Sequence, residues 1–119
     1  MLKFLKNTKT NEFRMTLSDD KQEDEIELKA NSTDAAKEKH VPEINVKEDE
    51  VEIVVGSTLH PMTEEHYIEA IILVTSEKTV MKKLQPTDEP KASFKLVKNE
   101  KINKAYAYCN LHGLWVKEN

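Results

Sequence analysis

The sequence predicts an all-β protein: an immunoglobulin-like antiparallel β-sandwich of about seven strands, preceded by a small N-terminal β appendage. Three observations predict it. From residue 44 to the end, apolar and polar residues alternate in short runs, the period of a half-buried strand. Breakers such as Pro42, Gly56, Pro61 and Pro90 punctuate those runs. No stretch sustains a long helical period.

Residues 1 to 32 lack His, Cys, Pro and Gly. Asn11 to Leu17 alternates as a strand would, with Phe13, Met15 and Leu17 on one face. Ser18-Asp19-Asp20 reads as a turn. Ile26 and Leu28 alternate with charges, as on an edge strand. The segment holds too few large apolar residues for a core of its own. The expectation is a small β appendage docked on a partner surface, or chain that is partly disordered.

Asp34 to His40 reads as a short helical turn capped by Ser32 or Thr33. Val41-Pro42 stops it, because the residue before a proline is driven to extended geometry. Ile44-Asn45-Val46 is a short strand, and Glu50 to Val55 a longer one with Val51, Ile53 and Val55 inward. Gly56-Ser57-Thr58 breaks it, and His60 to His66 is a loop interrupted by Pro61. Tyr67 to Thr75 is rich in Ile and Val. A helix over 64–74 is the alternative there, but β-branched residues between breakers favour a well-buried strand. Thr79–Leu84, Ala92–Val97 and Ile102–Tyr108 follow as strands, the last with Ile102, Tyr106 and Tyr108 on one side. Leu114-Trp115-Val116 closes the chain's pattern.

A chain of 119 residues is about one domain with room for an appendage. The division read here is residues 1–33 and residues 34–119. The net charge of -4, with both signs interspersed, argues against nucleic acid, which calls for a strongly basic face. No apolar run approaches the roughly 18 residues of a membrane span. Met1 to Asn7 is too short and too charged for a signal peptide. One cysteine cannot form an internal disulfide, so a reducing, cytoplasmic setting is expected.

Chemistry concentrates in Cys109-Asn110-Leu111-His112-Gly113-Leu114-Trp115, which holds the only cysteine and the only tryptophan. Cys109 and His112 are spaced to meet one metal ion across a short turn, and Gly113 lets the backbone bend tightly after them. The other histidines are His40, His60 and His66, and the first two each precede a residue next to or at a proline. Taken singly, each is ordinary: a surface histidine, a proline turn, a small buried thiol. Together, every histidine and the only cysteine flank loops that can gather at one end of a sandwich. Four imidazoles and a thiolate exceed the four ligands of structural zinc and suit iron better, leaving one octahedral position open.

Glu38-Lys39-His40-Val41-Pro42, then His60-Pro61-Met62 through His66-Tyr67-Ile68-Glu69, then Cys109 to Trp115, in that order and spacing, resemble the superoxide reductase family, also called neelaredoxin and desulfoferrodoxin. The resemblance spans residues 34 to 119. It implies an immunoglobulin-like catalytic domain holding one mononuclear non-haem iron (Fe2+/Fe3+) per chain. The implied ligands are His40, His60, His66 and His112 in the equatorial plane and Cys109 on the axis. It implies one-electron reduction of superoxide to hydrogen peroxide at the open position. Glu38 falls on the family's glutamate that closes the ferric site, and Lys39 on its lysine beside the open one. A rubredoxin-like electron donor and a homo-oligomer are further expectations.

Two departures accompany the resemblance. Asn7 and Thr10 stand about where many family members carry a C-x-x-C pair for a second iron, so no second FeCys4 centre is expected. Ala70 stands where an aromatic residue is frequent. Two other readings make different predictions. A non-enzymatic iron-binding or electron-transfer sandwich would cycle its iron without consuming superoxide. A metal-free interaction module would be colourless and indifferent to chelators.

Overall fold

The computed structural model describes all of residues 1–119. Along the chain run β1 (Lys3–Asn7), β2 (Phe13–Thr16), β3 (Glu25–Glu27), the helical turn α1 (Lys37–His40), β4 (Pro42–Lys47), β5 (Glu50–Val55), β6 (Ile68–Thr75), β7 (Thr79–Lys83), β8 (Lys91–Lys95), β9 (Ile102–Cys109) and β10 (Gly113–Glu118). The last seven strands form the expected sandwich. A four-stranded sheet, ordered β10-β9-β6-β7, packs on a three-stranded sheet, ordered β4-β5-β8, with every pairing antiparallel.

The core between the sheets is built from the alternating residues. Val51, Ile53 and Val55 of β5 meet Ile71 and Leu73 of β6 and Ala105 and Ala107 of β9. Small alanines on β9 let the sheets approach, and the β-branched residues opposite fill the gap. Cys109 completes this cluster at the end of β9.

Residues 1–28 supply a third sheet, ordered β2-β1-β3. It is not an independent unit. Phe4, with Phe13, Met15 and Leu28, lies on the outer face of the four-stranded sheet, against Ala70, Ile72, Tyr108 and Leu114. Phe13 stacks on Tyr108 at 4.2 Å, and Phe4 tilts onto Tyr106 at 4.6 Å. β6 is therefore covered on both faces, which explains its nearly unbroken apolar sequence. The small side chain of Ala70 lies under this apolar layer, away from the core that carries Cys109.

Two local expectations are corrected, and one strand, β1, was not foreseen. β1 had no strand signal of its own, because Lys3 and Lys6 interrupt its apolar residues; it exists through pairing with β2 and β3 and through burial of Phe4 and Leu5. The turn α1 is preceded by Ala36, not by a capping Ser32 or Thr33, and makes no side-chain cap. Ile102 does not share a face with Tyr106 and Tyr108. It packs into the inter-sheet core, because the β6–β9 register shifts between Val74 and Thr75. A one-residue irregularity reverses the face of everything beyond it.

Candidate metal centre

One end of the sandwich collects all five expected donors from three segments. His40 is the last residue of α1, just before β4. His60 and His66 lie on the connection between β5 and β6. Cys109 ends β9 and His112 sits in the tight turn to β10. Gly113 makes that turn possible with φ +84°, and a Cβ there would meet the Thr33 hydroxyl at 2.9 Å.

The four imidazoles form a closed ring of edge-to-face neighbours. Centroids of His40–His60, His60–His66, His66–His112 and His112–His40 are 4.7, 4.6, 4.9 and 4.9 Å apart, with interplanar angles of 76°, 80°, 81° and 90°. Across the ring, His40 and His66 are 6.2 Å apart. The four rings stand at the corners of a near-square, each turned on its neighbour, an arrangement that could surround one ion. The donor atoms of His40, His66, Cys109 and His112 all lie within 4.8 Å of one another. His60 falls outside that tight set, and joins the site through its ring contacts with His40 and His66.

Backbone carbonyls decide which nitrogen each ring presents. The Nδ1–H of His40 donates to the Ala36 carbonyl at 2.7 Å, and that of His60 to the Pro61 carbonyl at 2.7 Å. This leaves each Nε2 with its lone pair. The Nε2 atoms of His60 and His66 are buried with no hydrogen-bond partner. Such orphaned acceptors are costly unless something binds them. His112 turns its Nδ1 toward His40 Nε2, 3.1 Å away. Two nitrogens bound at right angles to one ion, each at the ~2.1 Å of a metal–imidazole bond, would be about 3.0 Å apart. The residues fit a single metal ion.

Burial grades the site from inside to outside. Cys109 is fully buried and His40 and His60 nearly so, while His66 and His112 are half-exposed. Burial pushes the His40, His60 and His66 pKa values down, that of His60 to about 4, and the neighbouring imidazoles push the same way. These rings are neutral at pH 7, the form that binds metal. Burial pushes the Cys109 thiol up, against the pull of the His112 and Leu111 N–H groups. The His112 N–H lies 3.4 Å from the sulfur.

Glu38 and Lys39 are exposed on α1, immediately before His40. Their charges reach the rings: Glu38 and Lys39 act in opposite senses on His40, and Lys39 acts on His66, each weakly beside burial. Two features of this end were not singled out from pattern. Gly56, with φ +87°, carries the chain under α1 so closely that a Cβ would lie 2.3 Å from the Thr58 carbonyl and 2.8 Å from those of Glu38 and Lys39. The sequence marks it as a breaker after β5, not as a crossing point under α1. Trp115, buried in the structure, also supports the site. Its ring stacks on His40 at 5.0 Å, and its Nε1–H donates to the His112 carbonyl at 3.1 Å.

Comparison with known proteins agrees with this geometry. The family model described as Desulfoferrodoxin matches residues 32–118. A desulfoferrodoxin of Clostridium acetobutylicum is 51% identical over 86 residues, 72% of this chain and just under two thirds, 66%, of its own length. The crystal structure of the superoxide reductase from Treponema pallidum superposes with a TM-score of 0.87 at 33% identity over 99% of both chains, so its likeness takes in the N-terminal sheet. The one-iron superoxide reductase from Giardia intestinalis superposes with a TM-score of 0.60 at 41% identity over 70% of this chain and 98% of that one. With its sandwich, its ring of imidazoles around one buried sulfur, and these relatives, the chain belongs to the desulfoferrodoxin family.

Proposed function

We propose that this protein is a superoxide reductase: it reduces superoxide by one electron to hydrogen peroxide at a mononuclear non-haem iron. The observation that carries this reading is the closed ring of four imidazoles with the buried Cys109 sulfur beside it. Named in roles, His40, His60 and His66 bind through Nε2, His112 through Nδ1, and Cys109 through its thiolate. The iron, when bound, supplies the single electron and the Lewis acidity that the reaction needs.

The chain's own residues do the rest. The sandwich core excludes water from Cys109, while the His112 N–H, pointed at the sulfur, moderates its electron donation. Lys39 places a mobile cation at the exposed side and draws in an anionic substrate to a protein of net charge -4. Glu38, a hard carboxylate one residue away, is suited to capping the oxidised site. Residues 34–119 constitute the reaction domain, and residues 1–33 an appendage without ligands. The proposal extends to a rubredoxin-like electron donor, a homo-oligomer and a cytoplasmic location, on the strength of the family resemblance and the single free thiol. No helix is long and apolar enough to cross a membrane.

Iron analysis and spectroscopy test the reading. The purified protein is expected to hold one iron per chain, to turn blue on oxidation through a thiolate-to-iron charge-transfer band, and to consume superoxide without releasing oxygen. Cys109→Ser should abolish the band. Iron that cycles while superoxide persists would select the electron-transfer alternative, and a colourless, iron-free protein would end both.

A further inference from the structure

Asn110 sits in the turn between Cys109 and His112, yet its side chain leaves that turn for another loop. Its Oδ1 accepts the N–H of Tyr67 at 3.0 Å, and its Nδ2 donates to the carbonyl of Glu65 at 3.1 Å. Its own backbone N–H donates to the Tyr67 carbonyl at 3.2 Å. These bonds clasp the residues on either side of His66. The amide's orientation follows from its partners: an N–H requires the oxygen, and a carbonyl requires the nitrogen.

The clasp stands where the sheet can no longer do the work. The β6–β9 ladder ends at the pair Ile68–Cys109, with a register shift directly inside it. Beyond that pair the two chains must diverge, because His66 and His112 belong to opposite connections. One backbone bond, from Asn110 N–H to the Tyr67 carbonyl, still follows that pair, and the side-chain amide adds the Tyr67 N–H and reaches on past His66 to the Glu65 carbonyl. The other support of His66 is local. Its N–H and carbonyl bond only within the turn from Thr63, which shapes that turn but does not fix its distance from the sulfur.

We propose that Asn110 is a positioning residue that sets the separation of the His66 imidazole from the Cys109 and His112 donors, and so the geometry offered to the metal. This rests on the reading of those three residues as ligands. An aspartate at this position would keep the acceptor for Tyr67 but turn an oxygen toward the Glu65 carbonyl. An alanine would lose both bonds.

Cobalt(II) alone, titrated into metal-free protein, tests this through affinity and the thiolate-to-cobalt charge-transfer band. Asn110→Ala is expected to weaken Co2+ binding roughly tenfold or more and to alter the band, with Asn110→Asp in between. In the metal-free protein, Asn110→Ala should also accelerate hydrogen exchange at the Tyr67 amide. The deciding measurement is a double-mutant cycle. In a His66→Ala background, Asn110→Ala should change Co2+ affinity less than twofold. Equal losses in both backgrounds, or no loss in either, would overturn the role. Should Asn110→Ala fail to fold, Asn110→Asp carries the same cycle. A parent protein that takes up no Co2+, or whose uptake ignores Cys109→Ser, would instead overturn the metal reading and this inference with it.

Discussion

Gly56 shows how much of the site depends on an atom that is absent. Its backbone crosses under α1 so closely that a Cβ would lie 2.8 Å from the Glu38 and Lys39 carbonyls, and the Thr58 N–H closes the crossing by donating to the Glu38 carbonyl at 3.0 Å. The two residues proposed to face substrate are thereby held from beneath by a loop that begins at the end of β5. Gly56→Ala is expected to cost about 1–3 kcal/mol from the left-handed backbone alone, with a further cost from the clash. Thermal unfolding should show the loss. Superoxide turnover should fall further than stability does, because relieving the clash displaces the Glu38 and Lys39 backbone as well as that of Thr58.

Among the elements, the N-terminal sheet is the one whose stability is borrowed. β1 to β3 hold few buried side chains, and their apolar face is the outer surface of β6, β9 and β10. Phe4 is the centre of that contact. Phe4→Ala should cost about 3–5 kcal/mol at the seam. Limited proteolysis is expected to release residues 1–31 while iron content stays at the parent level; simultaneous loss of iron would show the two parts to be one cooperative unit. The same sheet carries a pH dependence. Arg14 grips Glu25 with two bonds of 2.6 Å, and the Gln22 N–H adds a third. The Arg14 hydrogen bonds foremost hold the Glu25 carboxyl down to about 2, against an ordinary 4.5. The folded pKa is depressed, so this support is complete above about pH 4.5 and is lost as pH falls toward 2. Protease sensitivity of residues 1–31 in metal-free protein should rise over that window, and Arg14→Ala should remove the dependence.

At the scale of the whole molecule, the chain carries a net charge of -4 while its proposed substrate is an anion. Long-range repulsion must then be offset locally, and Lys39 is the exposed cation adjoining His40. Lys39→Ala should slow superoxide consumption about tenfold at low salt and flatten its ionic-strength dependence; equal rates for parent and variant at both salt extremes would remove Lys39 from the mechanism. The sandwich was legible because β5, β8 and most of β9 alternate strictly, and because Ile and Val crowd β6 between breakers. The donor set was legible because His40, His60, His66, Cys109 and His112 carry family spacing. What stayed hidden was non-local. β1 forms only because a distant sheet offers an apolar face, Ile102 changes sides because β9 carries one extra residue, Asn103, against β6, and the crossing at Gly56 depends on where α1 comes to rest. No window of sequence contains both halves of such a contact.

The stack of Trp115 on His40 gives the molecule a built-in optical gauge. It is the chain's only indole, it lies 5.0 Å from a ring assigned to the metal, and it is sealed from solvent. Its emission therefore reports one place alone: blue-shifted by the dry surroundings, dimmed when a paramagnetic ion enters the ring of imidazoles, and restored when the ion departs. Loading, unloading and change of oxidation state can all be followed in a cuvette, without a dye and without altering a single residue.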